Sequence, residues 1–434
     1  VSSYVITSTP AHGHLVPLLQ VASHLVARGD RVRFLTSGRY SEEVRASGAE
    51  FLPLPAGGDV DLDHADEAFP QRQGLAGPAA IRYDMRHLFL APAAVQLRAL
   101  RAAIDAAPTD AVLTEPLFFG ATLLQRRPRG ERPPIVALGI FPLGVKSRDT
   151  APFGLGITPL GGPIGRVRNA ALSFAAERFV FGEVQREADE LSVREVGTSL
   201  GGFLLDWPSR TDAVVQFSVE GFEYPRRDLP RSVHFVGALP APTDRTPSLP
   251  DWWADLDGGR PVVHVTQGTI ANSDFAQLVL PTVEALDGSD ALVVVSTGGR
   301  ARDALPSSLP DNVRVAEYLP YSHLLPRTSV LVTNGGFGGV QQALAHGVPI
   351  VVAGQTEDKV EVSARVAWSG AGISLKTNRP TAHAVRTAVQ RVLRDDSFRR
   401  AAQSLAREYA AAPGLAGLDR VLGQLAPEQT RLGR

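Results

Sequence analysis

Val330-Leu331-Val332-Thr333-Asn334-Gly335-Gly336-Phe337-Gly338-Gly339-Val340-Gln341-Gln342-Ala343-Leu344-Ala345 joins an apolar, β-branched run to a helix-forming run through a glycine-rich turn. The first run reads as a buried strand and the second as the start of a helix. Strand, turn and helix in that order are one unit of an α/β sheet. Backbone N–H groups at such a helix N-terminus lack intrahelical partners and the helix dipole favours negative charge, so a diphosphate fits there without a cation. Side chains would obstruct that approach, which is why glycine suits Gly335, Gly336, Gly338 and Gly339. The turn lacks the Lys-Ser/Thr ending of a P-loop and does not read as a G-x-G-x-x-G fingerprint, which weakens ATPase and NAD-binding readings.

Outward from this unit the same alternation continues. In the second half, strands are expected at Val262 to Thr266, Ala291 to Ser296, Val313 to Ala316 and Ile350 to Ala353. Gln267-Gly268-Thr269-Ile270-Ala271-Asn272 follows the first of these and Ser296-Thr297-Gly298-Gly299 the second. Glycine-bearing turns at three strand ends point to one extended polar ligand, with Gly268, Thr269 and Gly298 beside the 334–339 turn. In the first half, strands are expected at Tyr4 to Thr7, Arg31 to Thr36, Phe51 to Leu54, Ala111 to Thr114 and Ile135 to Ile140. The proline-rich stretch Phe222 to Asp251 separates the halves and reads as a linker. The expected organisation is an N-terminal domain over 1–221, a linker over 222–251, a second domain over 252–410, and a helical tail over 411–434 that returns to the first domain. The fold class is α/β, two Rossmann-like doubly wound domains facing each other across a cleft, with ligands at the carboxyl ends of the strands.

With 434 residues, 44% hydrophobic and 21% charged, the chain has the composition of a globular protein of two or three domains. Lys plus Arg (44) nearly equals Asp plus Glu (45), so no long-range field holds a nucleic acid or an anionic membrane. No run approaches the roughly 18 apolar residues of a membrane span, and no basic segment precedes an apolar run near Val1, so a cytoplasmic protein is expected. The absence of cysteine removes disulfides, thiolate metal sites and cysteine nucleophiles. Asp59, Asp61, Asp63, His64 and Asp66 alternate in a loop-like region that reads as solvated, so no metal site is expected. His12 and His14, in Ala11-His12-Gly13-His14-Leu15-Val16-Pro17 after the first strand, are both candidates for a proton acceptor at the cleft.

Phe235-Val236-Gly237, Trp252-Trp253, Thr266 to Thr269, Tyr318-Leu319-Pro320-Tyr321, Asn334 to Gln342, and Ala343-Leu344-Ala345-His346-Gly347-Val348-Pro349 through Asp358 follow one another in a recognisable order. That order and spacing resemble the signature region of family 1, the UDP-glycosyltransferase superfamily of GT-B fold. The similarity is to the bacterial branch that glycosylates macrolides, aromatic polyketides and other natural products. It covers essentially the whole chain and is densest from about 235 to 375.

The resemblance implies a nucleotide-sugar donor carrying UDP or dTDP, a hydrophobic small-molecule acceptor, no cofactor and no metal, in a monomer or homodimer. It places Tyr318 on the base, with the Leu319 backbone at the ring edge. Asn334 stands where many relatives have a diphosphate-binding histidine, and Gln342 where they have a ribose-binding glutamate; both amides keep hydrogen-bonding capacity without charge. Asp358 and Lys359 stand where glucose-using relatives have an Asp-Gln pair that reads the sugar hydroxyls. The Gly-His-x-x-Pro pattern selects His14 over His12 as the general base, and Glu115, one methylene longer, takes the position of the aspartate that holds its other nitrogen, so that either Glu115 pairs with His14 or His14 acts alone. Transfer would then invert the anomeric centre, with the 334–339 turn and Thr269 stabilising the leaving diphosphate. Two apolar N-terminal regions either shape the acceptor pocket or form helical core and surface loop: Phe69 to Leu90, with Tyr83, Met85 and Phe89, and Phe141 to Gly165, with Phe141. Other readings on this architecture are a nucleotide-sugar epimerase, a lipid-linked glycosyltransferase and a non-catalytic activator.

Overall fold

A computed structural model describes residues 1–63, 65–75, 77–240, 249–269, 272 and 274–425. Outside these lie His64 of the acidic run, Ile270 and Ala271 of the turn after Thr266, residues 241–248 of the expected linker and 426–434 of the expected tail.

Among the described residues the chain builds two parallel sheets. The first contains β1 (Ser3–Thr7), β2 (Arg31–Thr36), β3 (Glu50–Pro53), β4 (Ala111–Thr114), β5 (Ile135–Gly139), β6 (Ala213–Gln216) and β7 (Val233–Phe235), in the order β3-β2-β1-β4-β5-β6-β7. The second contains β8 (Val262–Thr266), β9 (Leu292–Ser296), β10 (Val313–Ala316), β11 (Val330–Thr333), β12 (Ile350–Val352) and β13 (Gly372–Ser374), in the order β10-β9-β8-β11-β12-β13. The central strands β4, β5, β8, β9 and β11 are buried along their whole length, which is why they read as continuous apolar runs rather than alternating ones. Strand order reverses between β1 and β4 in one sheet and between β8 and β11 in the other. Those are the points where helices diverge to opposite faces and leave a crevice at the carboxyl edge.

The expected strands are all present, with ends shifted by one residue at most. Val233–Phe235 departs from expectation: within the stretch read as linker it pairs with β6 and completes the first sheet. The N-terminal unit therefore runs on past residue 221. Phe69 to Leu90, for which helical core is one of the two expectations, is largely helical, with an α-helix at Gly77–Asp84 and a π-helical segment at Met85–Leu90.

Four further helices position the site: α1 (His12–Ala27), α2 (Phe337–Ala345), α3 (Lys359–Trp368) and α4 (Asp396–Ala411); a fifth, α5 (Leu415–Leu425), closes the described chain. Leu15, Leu18, Val21, Ala22 and Leu25 of α1 bury one face against β1 and β2, and Leu418, Val421 and Leu422 of α5 join the same core. Gly417 allows α5 to approach so closely, since a Cβ there would sit 2.7 Å from Val236 Cγ1. Leu418 is completely buried in that N-terminal core although it follows the whole second domain in sequence. Leu418→Ala is expected to cost about 2–5 kcal/mol of folding stability, read as a lowered denaturation midpoint; a midpoint equal to wild type would show that α5 contributes nothing to the core.

Candidate active site

Strand register sets the site. Thr7 of β1 lies beside Thr114 of β4 and their hydroxyls hydrogen-bond at 2.8 Å. The next residues therefore emerge together at the switch point, Thr9 on one side and Glu115 on the other. Glu115 is fully buried. Its Oε1 accepts from the Thr9 N–H at 3.1 Å and its Oε2 from the Leu117 N–H at 2.6 Å. His14, in the first turn of α1, brings Nδ1 to 3.3 Å from Glu115 Oε2 and 3.0 Å from Thr9 Oγ1.

An ionised carboxylate can only accept, so Nδ1 carries the imidazole proton and Nε2 keeps its lone pair. Burial opposes a charged imidazole, but the charge and hydrogen bond of Glu115, with the charges of Asp358 and Glu357, outweigh it and raise the His14 pKa above its usual 6.5. Glu115 shifts the other way: burial disfavours its charge, and the His14 imidazole with the Leu117 and Thr9 donors overcomes that and lowers its pKa. The longer glutamate side chain thus reaches three donors from a buried position. His12 does not share these partners; its backbone N–H donates to Asp63 Oδ1 at 3.1 Å.

Asp59, Asp61 and Asp63 of the acidic run are likewise engaged by protein groups. Asp63 accepts from the Tyr40 hydroxyl and from His12 N, Asp61 pairs with Arg39 at 2.7 Å, and Asp59 accepts from Gly38 N at 3.3 Å. Among the described residues no group of three or more His, Asp or Glu is placed to hold a metal ion.

In the second sheet, register lines up the predicted donor residues in the same way. Thr333 lies beside Thr266, Thr266 beside Ser296, and Ser296 beside Ala316. Asn334, Gly268, Gly298 and Tyr318 consequently follow their strands along one carboxyl edge. Gly298 (φ +64°) packs so tightly on the neighbouring turn that a Cβ would fall 2.1 Å from Gly268 O. Asn272 clasps both turns, donating to Gly268 O, Thr297 O and Gly298 O at 3.1, 2.9 and 3.2 Å. Tyr318 is 66% exposed, so it is no core tyrosine, and the hydroxyl end of its ring abuts Gly299, where a Cβ would fall 2.9 Å from Tyr318 Cζ. Thr269 is exposed beyond Gly268, and Leu319 is half-buried beside Leu256 and Leu324.

Gly335 (φ +90°) turns the chain from β11 into α2, and Gly336 is the N-cap. A Cβ at Gly336, Gly338 or Gly339 would meet nothing within 4 Å, so the first turn of α2 presents bare backbone to open space. Asn334 donates from Nδ2 to Gln267 O at 2.6 Å, which ties β11 to β8 and occupies one of its two amide hydrogens. Gln342 donates to Leu239 O, leaving its carbonyl oxygen as acceptor. Asp358 precedes α3, and its carboxyl is pushed up to about 6, first by burial, against the opposing pull of Lys359. Lys359 is buried with its ammonium on Glu357. That ion pair, rather than solvent, is where the lysine's charge goes.

Of the four acceptor residues read from sequence, Phe141 reaches His14, with ring centroids 6.3 Å apart. Phe153 packs next to Phe141, the rings tilted at 45° with centroids 6.0 Å apart. Met85 and Phe89 pack against the core on the other face of the sheet, Phe89 edge-on to the buried Phe119, so helical core is their place. Tyr83 stacks on His87 at 4.4 Å on the same helical segment. Sequence reasoning missed Phe153, Thr9 and the Asn272 clasp. A Phe in a Pro- and Gly-rich loop was the one legible signal, for Phe153.

Residues 278–422 match the family model for the erythromycin biosynthesis protein CIII-like C-terminal domain. Over 94% of the chain and 95% of the relative, the sequence is 42% identical to 4'-demethylrebeccamycin synthase of Lentzea aerocolonigenes. It is 36% identical to UDP-glycosyltransferase 2 of Phaeomoniella chlamydospora over 97% of this chain and 95% of that one. In structure it resembles the kitacinnamycin glycotransferase, with a TM-score of 0.74 at 22% identity, covering 98% of this chain and 99% of that one. No described helix is long and apolar enough to cross a membrane.

The His14–Glu115 contact has a direct readout. In an NMR titration the His14 imidazole should lose its proton above pH 6.5, and Glu115→Gln, which removes the charge that raises it, should move the midpoint to lower pH. A midpoint unchanged by Glu115→Gln would show that the carboxylate does not act on the ring.

Proposed function

The chain belongs to the natural-product branch of the family 1 GT-B glycosyltransferases and is a glycosyltransferase; we propose that it moves a hexose or deoxyhexose from a UDP- or dTDP-sugar to a hydroxyl of a hydrophobic natural product, with inversion and without a metal. The observation that carries this reading is the buried Glu115 holding His14 Nδ1 at the switch point of one sheet, within the electrostatic reach of Asp358 on the other.

The base moiety of the donor stacks on the exposed face of Tyr318 beside the Gly298-Gly299 turn. Its diphosphate lies against the bare first turn of α2, where the N–H groups of Phe337, Gly338 and Gly339 have no intrahelical acceptors and the dipole is positive. Asn334 offers its second amide hydrogen and Thr269 its hydroxyl, and Gln342 accepts from the ribose. The sugar then reaches Asp358, toward His14. The acceptor binds from the N-terminal side against Phe141 and Phe153.

His14 Nε2 takes the acceptor hydroxyl proton as the oxygen attacks the anomeric carbon. The bond from that carbon to the β-phosphate oxygen breaks on the opposite face, and the electron pair leaves with the nucleoside diphosphate. The imidazolium so formed is stabilised by Glu115, which stays ionised. Amides and dipole at α2 take up the charge that develops on the leaving oxygen, in place of a metal ion.

Incubation with UDP- and dTDP-sugars and a panel of phenolic and macrolactone acceptors, analysed by mass spectrometry with chelator present, should yield glycosylated product. His14→Ala should lower turnover by at least about 100-fold while nucleoside diphosphate still binds by calorimetry. Product that requires added metal, or His14→Ala turnover equal to wild type, would overturn the mechanism.

A further inference from the structure

The loop that follows β5 carries Phe141 and Phe153, and it is anchored by the opposite domain. Glu361, in the first turn of α3, is buried, and its Oε1 accepts from the N–H groups of both Gly154 and Gly156, at 2.8 and 2.9 Å. Both glycines lie in the left-handed region, at φ +96° and +59°, a conformation that side chains resist. Gly156 has a second reason to be glycine, since a Cβ there would fall 2.6 Å from Val360 Cγ2 and 3.0 Å from Val360 O.

The other Glu361 oxygen, Oε2, accepts from Arg365 Nη1 at 2.6 Å, and Arg365 Nε donates to Glu223 Oε2 at 2.8 Å. Glu223 Oε1 in turn accepts from the Leu143 N–H at 2.8 Å, and Leu143 O accepts from Arg226 at 2.7 Å and Arg365 at 3.3 Å. The loop is thus held at Leu143 and again at Gly154 and Gly156 by one buried chain of charges. Burial opposes the Arg365 charge, but Glu223 and Glu361 more than offset it, so the guanidinium holds its proton more tightly than usual. α3 begins at Lys359, directly after Asp358. The helix that starts at the sugar end of the donor site therefore also fixes the aromatic wall facing His14.

We propose that Glu361 is a positioning residue for the acceptor: it touches no substrate, but by binding the Gly154 and Gly156 amides it sets the placement of Phe141 and Phe153 and so determines which acceptors fit. The proposal rests on the reading of Phe141 and Phe153 as acceptor wall. A partner domain is well suited to this task, because a Pro- and Gly-rich loop has little packing of its own, whereas two charge-assisted hydrogen bonds to one buried oxygen hold it in one conformation.

Two variants test it by different routes. Glu361→Ala removes the anchor and leaves Arg365 paired with Glu223; Gly156→Ala leaves every charge in place and forces the loop off Val360. Both should raise the acceptor KM about tenfold, the ratio that one lost charge-assisted hydrogen bond represents, and broaden the range of acceptors used, with nucleoside diphosphate affinity within about twofold of wild type. Unchanged acceptor KM and acceptor range in both variants would overturn the proposal. So would an equal loss of nucleotide and acceptor binding, which marks a general structural role, or a fall in kcat at constant KM. Absence of product from wild type with every donor and acceptor would instead refute the transferase reading, a distinguishable failure.

Discussion

A carboxylate wholly removed from water is unstable unless every lone pair that matters has a donor. Glu115 meets that requirement with the Thr9 N–H, the Leu117 N–H and the His14 imidazole, and the rest of the site follows from it. The two amides come from the carboxyl ends of adjacent parallel strands, held in register by the Thr7–Thr114 hydroxyl pair. The third donor comes from α1, whose start is fixed by β1. Moving any of these elements strands a buried charge, so the sheet, the helix and the histidine form one unit. Nδ1 is committed to that unit, and Nε2 is the nitrogen left for chemistry.

The second sheet solves the complementary problem with backbone rather than charge. Its carboxyl edge is a row of turns made bare by glycine and held in place by amide side chains: Asn272 across two turns and Asn334 across β8 and β11. Cations are few there and already engaged, as Lys359 is by Glu357. Such an edge offers N–H groups and a helix dipole suited to an anion. The proposed base lies on one side of the cleft and the proposed leaving-group cradle on the other, and the buried Glu223–Arg365–Glu361 chain joins the two domains.

Much of this was legible in the sequence because the strong signals are local. Continuous apolar runs gave the central strands, and Asn334 to Gly339 gave the bare glycine turn into α2. The strands not foreseen, β6, β7 and β13, are three or four residues long and lie at or near a sheet edge. Val233–Phe235 also stands among prolines that read as linker. What could not be read was anything made by long-range pairing. Glu361 and Gly154 are 207 positions apart and Arg365 and Glu223 are 142 apart, so no periodicity or spacing announces them. Met85 and Phe89 show the converse: an apolar cluster in sequence says nothing about which face of the sheet it covers, and theirs is the core side.

The proposed transfer is a single displacement, with His14 Nε2 as the base on one face of the sugar and the diphosphate leaving from the other. The anomeric configuration of the product tests it most directly. From an α-configured nucleotide sugar, proton NMR of the purified glycoside should show the β anomer. A product that retains the α configuration would contradict the one-step geometry and the role assigned to His14.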